Sequence, residues 1–341
     1  MTRFSMNKQP AILLVYPPKN EPCKIFAAAL QDSLSGWKAT AREAKMATFL
    51  LQSRKTDLLH FILPPDSTLL ALARKVAAKK ASVHTIVAVP PQDQSYTEVL
   101  CSRNVVVFTQ REKAEVDRSV PGASVHVIAP CKGMPAHDSL QSAAHLREKY
   151  QVGDRLLAVA LTDMTNRPAF DAFLYICREY NRRGGFRFLI PPYDRGKETS
   201  IWRGRLEQTI RQERLTAVTL MDAGADTHSL LLSADFAVHL QREPDYQFGF
   251  SFPAIDFLLL GKPVICFNQP ALNEVIHAFQ PRWVANNIED VVRASRDLRK
   301  DQSQLPQISV KLAQYAKEIF SPENVASRYQ ALYHHVLEPS R

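Results

Sequence analysis

Glycine is scarce, at 11 of 341 residues. Folds that bind nucleotides usually spend several glycines where backbone approaches phosphate, so few such loops are open to this chain. The five cysteines, Cys23, Cys101, Cys131, Cys177 and Cys266, are odd in number, far apart, and form no C-x-x-C. That argues against a metal site and against a disulfide framework, and makes a reducing cytoplasm the default location. No apolar run reaches the roughly 18 residues needed to cross a bilayer. The first 16 residues start basic, but their apolar part is short and runs into Pro17-Pro18, so they read as a first strand rather than a signal peptide. The net charge of +9 is spread along the chain, without a basic arm or a basic stripe interleaved with aromatics. Nucleic acid is therefore not an expected partner, and the bias reads as a mild tendency toward acidic partners or anionic membrane surfaces, or simply as solubility.

What is present is a folded α/β chain. Hydrophobic residues make up 45% of it, too many for disorder. Continuous apolar runs such as Ala11–Tyr16, Leu58–Leu63, Val105–Phe108, Leu156–Leu161, Phe186–Ile190 and Phe236–Leu240 read as strands covered on both faces. Segments of helical period separate them: 22–34, 44–53, the stretch from Ser67 capped by Asp66-Ser67, the stretch after Thr109, 170–182 and 201–212. This alternation predicts parallel sheets with helices on both faces. It is interrupted between 130 and 153 and then restarts, which predicts two Rossmann-like domains, 1–150 and 151–320, followed by a terminal helix over 321–341. In open parallel sheets ligands bind at the carboxyl ends of the strands, so two such domains are expected to face a cleft.

The stretch from Phe248 to Asn268 concentrates the informative residues. Phe248-Gly249-Phe250-Ser251 reads as a loop where backbone comes close to something. Pro253 suits the first turn of a helix, the helix is apolar nearly all round, and Gly261 ends it. A loop feeding a helix N-terminus is a ready anion site. Asp256 lies in this apolar helix, where a carboxylate needs a partner or a ligand.

Taken together, these pieces resemble the GT-B fold glycosyltransferases of the family-4 type. Four other stretches carry the resemblance: Asp57-Leu58-Leu59-His60 with the helix and strand after it, 104–130, Ser233-Ala234-Asp235-Phe236, and the closing Phe320-Ser321-Pro322-Glu323-Asn324. The stretch at 248–268 resembles the family's donor loop, E-G-F-G-x-P-x-h-E-A-h-A-x-G-x-P-V-h. The resemblance implies a metal-independent, retaining transfer of sugar from a nucleotide-sugar donor to a glycan, lipid or protein acceptor, with no cofactor. It implies donor contacts at Gly249, Phe250, Ser251, Pro253 and Asp256, with Asp256 on the ribose hydroxyls, and catalytic positions at His60 and Arg167. His60 also reads as a satisfied core histidine, and Arg167 as a solvated loop arginine.

The match thins at the chemistry. Phe248 stands where the family has its first donor-loop glutamate, Ser251 where it has a second loop glycine, and Leu161 near its diphosphate-binding arginine. Pro17-Pro18-Lys19-Asn20 replaces a Gly-Gly loop. A relative without activity, serving as a binding or scaffold subunit beside an active glycosyltransferase, is the alternative reading.

Overall fold

The computed structural model describes residues 9–44, 52–88, 90, 94–133, 140–161, 167–191, 197–221, 227–240, 249–267 and 269–338. They fall into two compact units. The first comprises Met1–Gly133, Asp245–Gly249 and Glu318–Arg341, and the second Met134–Pro244 and Phe250–Lys317.

The first unit runs β1 (Ala11–Tyr16), α1 (Glu21–Ser33), β2 (Lys38–Glu43), β3 (Leu58–Leu63), α2 (Leu70–Ala77), β4 (Ala81–Ile86), α3 (Tyr96–Val99), β5 (Asn104–Val107), α4 (Gln110–Ser119) and β6 (Ser124–Val127). Its six strands are all parallel, in the order β2-β1-β3-β4-β5-β6. All six residues of β3 are buried, as a central strand covered on both faces requires. Asn20 caps α1 by accepting from the Cys23 N–H at 3.0 Å. Thr109 and Glu112 form a reciprocal capping box at the start of α4. Helix α2 begins at Leu70 and not at the expected Ser67. Residues 67–69 form a turn instead, in which the Ser67 hydroxyl accepts from Leu69 N–H and its carbonyl from Leu70 N–H. Most of the helix expected at 44–53 lies outside the described residues.

The second unit runs α5 (Leu140–Lys149), β7 (Leu156–Ala160), α6 (Arg167–Arg183), β8 (Phe186–Ile190), α7 (Lys197–Gln212), β9 (Val218–Leu220), α8 (Thr227–Ser233), β10 (Phe236–Leu240), α9 (Phe252–Leu259), β11 (Val264–Phe267), α10 (Pro270–Phe279), β12 (Val284–Ala285), α11 (Ile288–Lys300) and α12 (Leu305–Phe320). Its parallel order is β12-β11-β10-β7-β8-β9, with the direction of winding reversing between β7 and β10. Helix α5 packs on α8, within the second unit. Sequence periodicity did not anticipate α10 or β12. The signals for α10 are local: Gln269 caps it by accepting from Leu272 N–H at 2.8 Å, and Pro270 opens it.

One device appears in both sheets. In the first unit Asp57 sits just before β3, its carboxylate accepts from the Ala11 N–H at 2.7 Å, and its own N–H donates to the Ala11 carbonyl. In the second, Asp235 sits just before β10, its carboxylate accepts from the Leu157 N–H at 2.7 Å, and its N–H donates to the Leu157 carbonyl. Each aspartate thus ties two neighbouring strands at their amino ends, β1 to β3 in one sheet and β7 to β10 in the other. Asp235 also takes Arg147 of α5 at 3.0 Å, while Arg147 reaches the Ser233 carbonyl. Lys262 donates to the Leu232 and Ala234 carbonyls at 2.6 and 2.5 Å, so the carboxyl end of α8 is closed by two cations. Burial lowers the Lys262 pKa to about 8.

The final helix, α13 (Pro322–Leu337), packs on α1 and β4 of the first unit. Tyr329 and Tyr333, both fully buried, anchor it. Gly261 ends α9 with φ +71°, and a Cβ there would collide with the Ser309 carbonyl.

Candidate functional site

The reversal between β7 and β10 is where an open sheet of this kind accepts ligands, outside the carboxyl ends of the strands. The segments that follow these two strands, 162–166 and 241–248, lie outside the described residues, and Phe248 lies with them. The described rim begins with Leu161, whose N–H donates to the Val238 carbonyl at 2.9 Å, extending the β7–β10 ladder by one residue. Its side chain is buried.

Helix α9 carries three of the expected donor-binding residues. Ser251 is its N-cap, the hydroxyl accepting from the Ala254 N–H at 3.4 Å, so the residue in place of a loop glycine closes one of the helix's open donors. Pro253 lies in the first turn with an exposed ring. Asp256 is 6% exposed, the one charged residue in a helix that buries seven of its eight. Phe250 is buried just ahead of the helix. Gly249 belongs to the first unit, where its N–H donates to the Val87 carbonyl. A Cβ on it would meet Val87 O at 3.3 Å and the Phe108 ring at 3.4 Å, so the close approach explains the glycine.

Arg167 is the first residue of α6. Its guanidinium lies 3.7 Å from Asp171 on the next turn, with side chains 81% and 60% exposed, which is a solvated pair of little energetic weight.

His60 is placed elsewhere. It is fully buried in β3, with Nδ1 at 2.7 Å from the Tyr333 hydroxyl and Nε2 at 2.7 Å from the Thr85 hydroxyl, which in turn lies 2.9 Å from the Tyr329 hydroxyl. Burial, with a smaller contribution from His84, lowers its pKa to about 3. A neutral imidazole offers one donor and one acceptor, and this chain of hydroxyls can supply the complement in either direction. The histidine thus joins the final helix to the sheet, with both ring nitrogens engaged. Sequence spacing could not show this, because its partners lie 25 and 273 residues away.

Among the described residues no group of three or more His, Cys, Asp or Glu is arranged to hold a metal ion, and no helix is long and apolar enough to cross a membrane. All five cysteines are buried free thiols.

No family model and no curated protein matches the chain. Solved structures do. A glycosyltransferase from Rickettsia africae is similar with a TM-score of 0.75 at 15% identity, covering 98% of this chain and 100% of that one. HepE of Anabaena, in complex with UDP, gives a TM-score of 0.73 at 12% identity over 95% of this chain and 100% of its own. Sucrose-phosphate synthase from Thermosynechococcus elongatus gives 0.68 at 14% identity over 98% and 100%. With two parallel six-stranded sheets in this order and this likeness along nearly the whole of both chains, the protein has the GT-B glycosyltransferase fold.

Proposed function

We infer that this is a glycosyltransferase-like protein whose second unit holds a nucleotide-sugar donor and whose reaction moves the sugar to a glycan, lipid or protein acceptor. The observation that carries the reading is the match along both full chains to a structure solved with UDP, and to the same protein with UDP-glucose at 14% identity. In this reading Asp256 accepts from the ribose hydroxyls, as a carboxylate can from two vicinal O–H groups. Gly249, Phe250, Ser251 and Pro253 shape the loop and the helix start. Arg167 and the N-terminus of α9 offset the charge that builds on the departing diphosphate, without a metal ion. His60 receives no catalytic role, since its nitrogens are committed to the final helix. The buried free thiols support a cytoplasmic location.

A second reading is favoured by a separate observation: where the family places cations for the diphosphate, this chain has a buried Leu161 and an exposed Arg167 beside Asp171. In that reading the fold is a scaffold or binding subunit beside an active glycosyltransferase. Calorimetry with UDP-, GDP- and ADP-sugars separates the two. The first reading expects saturable binding of at least one donor, weakened tenfold or more by Asp256→Ala. Absence of binding by all of them, from a protein with an unchanged melting profile, assigns the scaffold role.

A further inference from the structure

Part of the surface charge is matched to carboxylates, as in Arg147–Asp235, Arg178–Glu213, Arg182 and Arg183 with Glu179, Arg211–Glu207, Arg293–Asp290 and Lys300–Asp297 of the second unit. In the first unit Lys24 and Arg111 are likewise paired, in the first turns of α1 and α4 at the carboxyl end of the sheet. At the amino end of that sheet stand Lys38, Arg54, Lys55, Lys79, Arg103 and Arg118, all exposed, with no ion pair or side-chain hydrogen bond among the described residues.

The fold lines them up. Lys38 opens β2, Lys55 precedes β3, Lys79 precedes β4, Arg103 precedes β5, and Arg118 lies in the last turn of α4, which leads to β6. Because every strand is parallel, these positions share one end. At about 4.8 Å between strands they form a row about 24 Å long across the sheet. Arg118 also complements the negative end of α4, but Lys38, Lys55 and Arg103 lie outside the helices, so helix dipoles do not account for them. Of the carboxylates at this end, Asp57 accepts from the Ala11 N–H and Asp117 is paired with Lys113, while Asp32 and, past the end of the final helix, Glu338 are exposed.

We propose that this row is a docking surface for an anionic membrane, its cations meeting the headgroups of acidic lipids. Charge complementarity selects the occupant. A protein interface draws its energy from a buried apolar or aromatic centre, and the large exposed apolar side chains among the described residues, Ile201 and Val310, both belong to the second unit. Single-stranded nucleic acid needs free aromatic faces for stacking. Trp37, the tryptophan at this end, is half-buried against Tyr333 and His334 at ring distances of 5.6 and 4.9 Å. A bilayer surface needs neither, because clustered Lys and Arg suffice. The row is at the opposite end of the strands from the edge where open sheets take ligands, so docking leaves that edge free. The surface is independent of the donor reading.

Vesicle flotation tests it with the full chain. The protein is expected to float with phosphatidylcholine vesicles containing about 30 mol % phosphatidylserine and not with phosphatidylcholine alone, and to be released at roughly 0.5 M salt. Each single change, Lys38→Gln, Lys55→Gln, Lys79→Gln or Arg103→Gln, is expected to lower partitioning about fivefold. The control Arg182→Gln in the second unit leaves it unchanged. Circular dichroism confirms that each variant is folded. The proposal is overturned if the chain ignores anionic vesicles, if the four changes have no more effect than the control, or if a DNA duplex or a polyglutamate peptide binds where vesicles do not.

Discussion

Tyr333 and Gly261 show how much can rest on one residue. Replacing Tyr333 by Phe keeps the ring packing on Trp37 and His60 but removes the hydroxyl that His60 Nδ1 faces. A buried polar atom left without its partner costs about 1–3 kcal/mol, so Tyr333→Phe is expected to lower unfolding free energy in urea by that amount. Adding Thr85→Val tests the network: in a double-mutant cycle the two losses are expected not to add, since both act through His60. Gly261→Ala is expected to be worse than an ordinary helix-end change. It combines left-handed backbone, which costs an L residue about 1–2 kcal/mol, with a methyl group directed into the Ser309 carbonyl. A melting temperature unchanged by Gly261→Ala would contradict this account of the α9 terminus.

At the level of elements, each aspartate clip joins two strands through one side chain and its own N–H. Asp235→Ala removes the acceptor of the Leu157 N–H and the partner of Arg147 together. The expected loss is about 2–4 kcal/mol, against about 1 kcal/mol for an ordinary cap such as Thr109→Ala, read from equilibrium denaturation. Such elements were legible in the sequence to different degrees. Strands buried on both faces announce themselves by composition: β3, β8 and β10 coincide with the apolar runs Leu58–Leu63, Phe186–Ile190 and Phe236–Leu240. Strand β12 is two residues long, too short for any periodicity, and exists because β11 offers it a partner. The motif Ser233-Ala234-Asp235 was visible as a pattern, but its meaning, a strand clip joined to Arg147, required knowing that residues 78 and 88 positions apart meet. For the candidate site, the sequence marked the start of α9 at Pro253 and the placement of Asp256 in an apolar helix. It could not show that Ser251 is spent as a cap or that His60 is spent on the final helix, because both depend on where hydrogen-bonding partners lie in space.

For the whole molecule, acid is the expected weakness. Burial holds His60, His84 and His239 neutral, with pKa values lowered to about 3, 4 and 4. His84 Nδ1 accepts from the Cys101 N–H, while its Nε2 and the His239 Nδ1 have no hydrogen-bond partner among the described residues. The unfolded chain protonates these rings near the ordinary histidine pKa of about 6.5. Between that value and about 4 it therefore binds more protons than the folded chain, and each unit by which the pH is lowered costs about 1.4 kcal/mol of stability for each ring. Glu112 acts in the opposite sense. Burial raises its pKa to about 7, so it takes up a proton on folding between about 4.5 and 7 and offsets one of the three. The net expectation is a lower melting temperature at pH 5.5 than at pH 7.5, and a melting temperature that holds or rises on acidification would refute the burial-based account.

The first unit is assembled mainly from both ends of the chain, residues 1–133 and 318–341, with only 245–249 between, so the second is nearly contiguous. A chain emerging from the ribosome therefore completes its second half first. Until α13 arrives, Thr85 and His60 wait without the two tyrosines that close over them. Order of synthesis and order of completion are inverted, and the interval between them is a window in which the first-made sheet is open to proteases and chaperones. A chain ending at residue 320 holds that window open permanently: limited proteolysis is expected to cut it in the first unit while sparing the second, and equal resistance of both would show that the final helix is dispensable for closure.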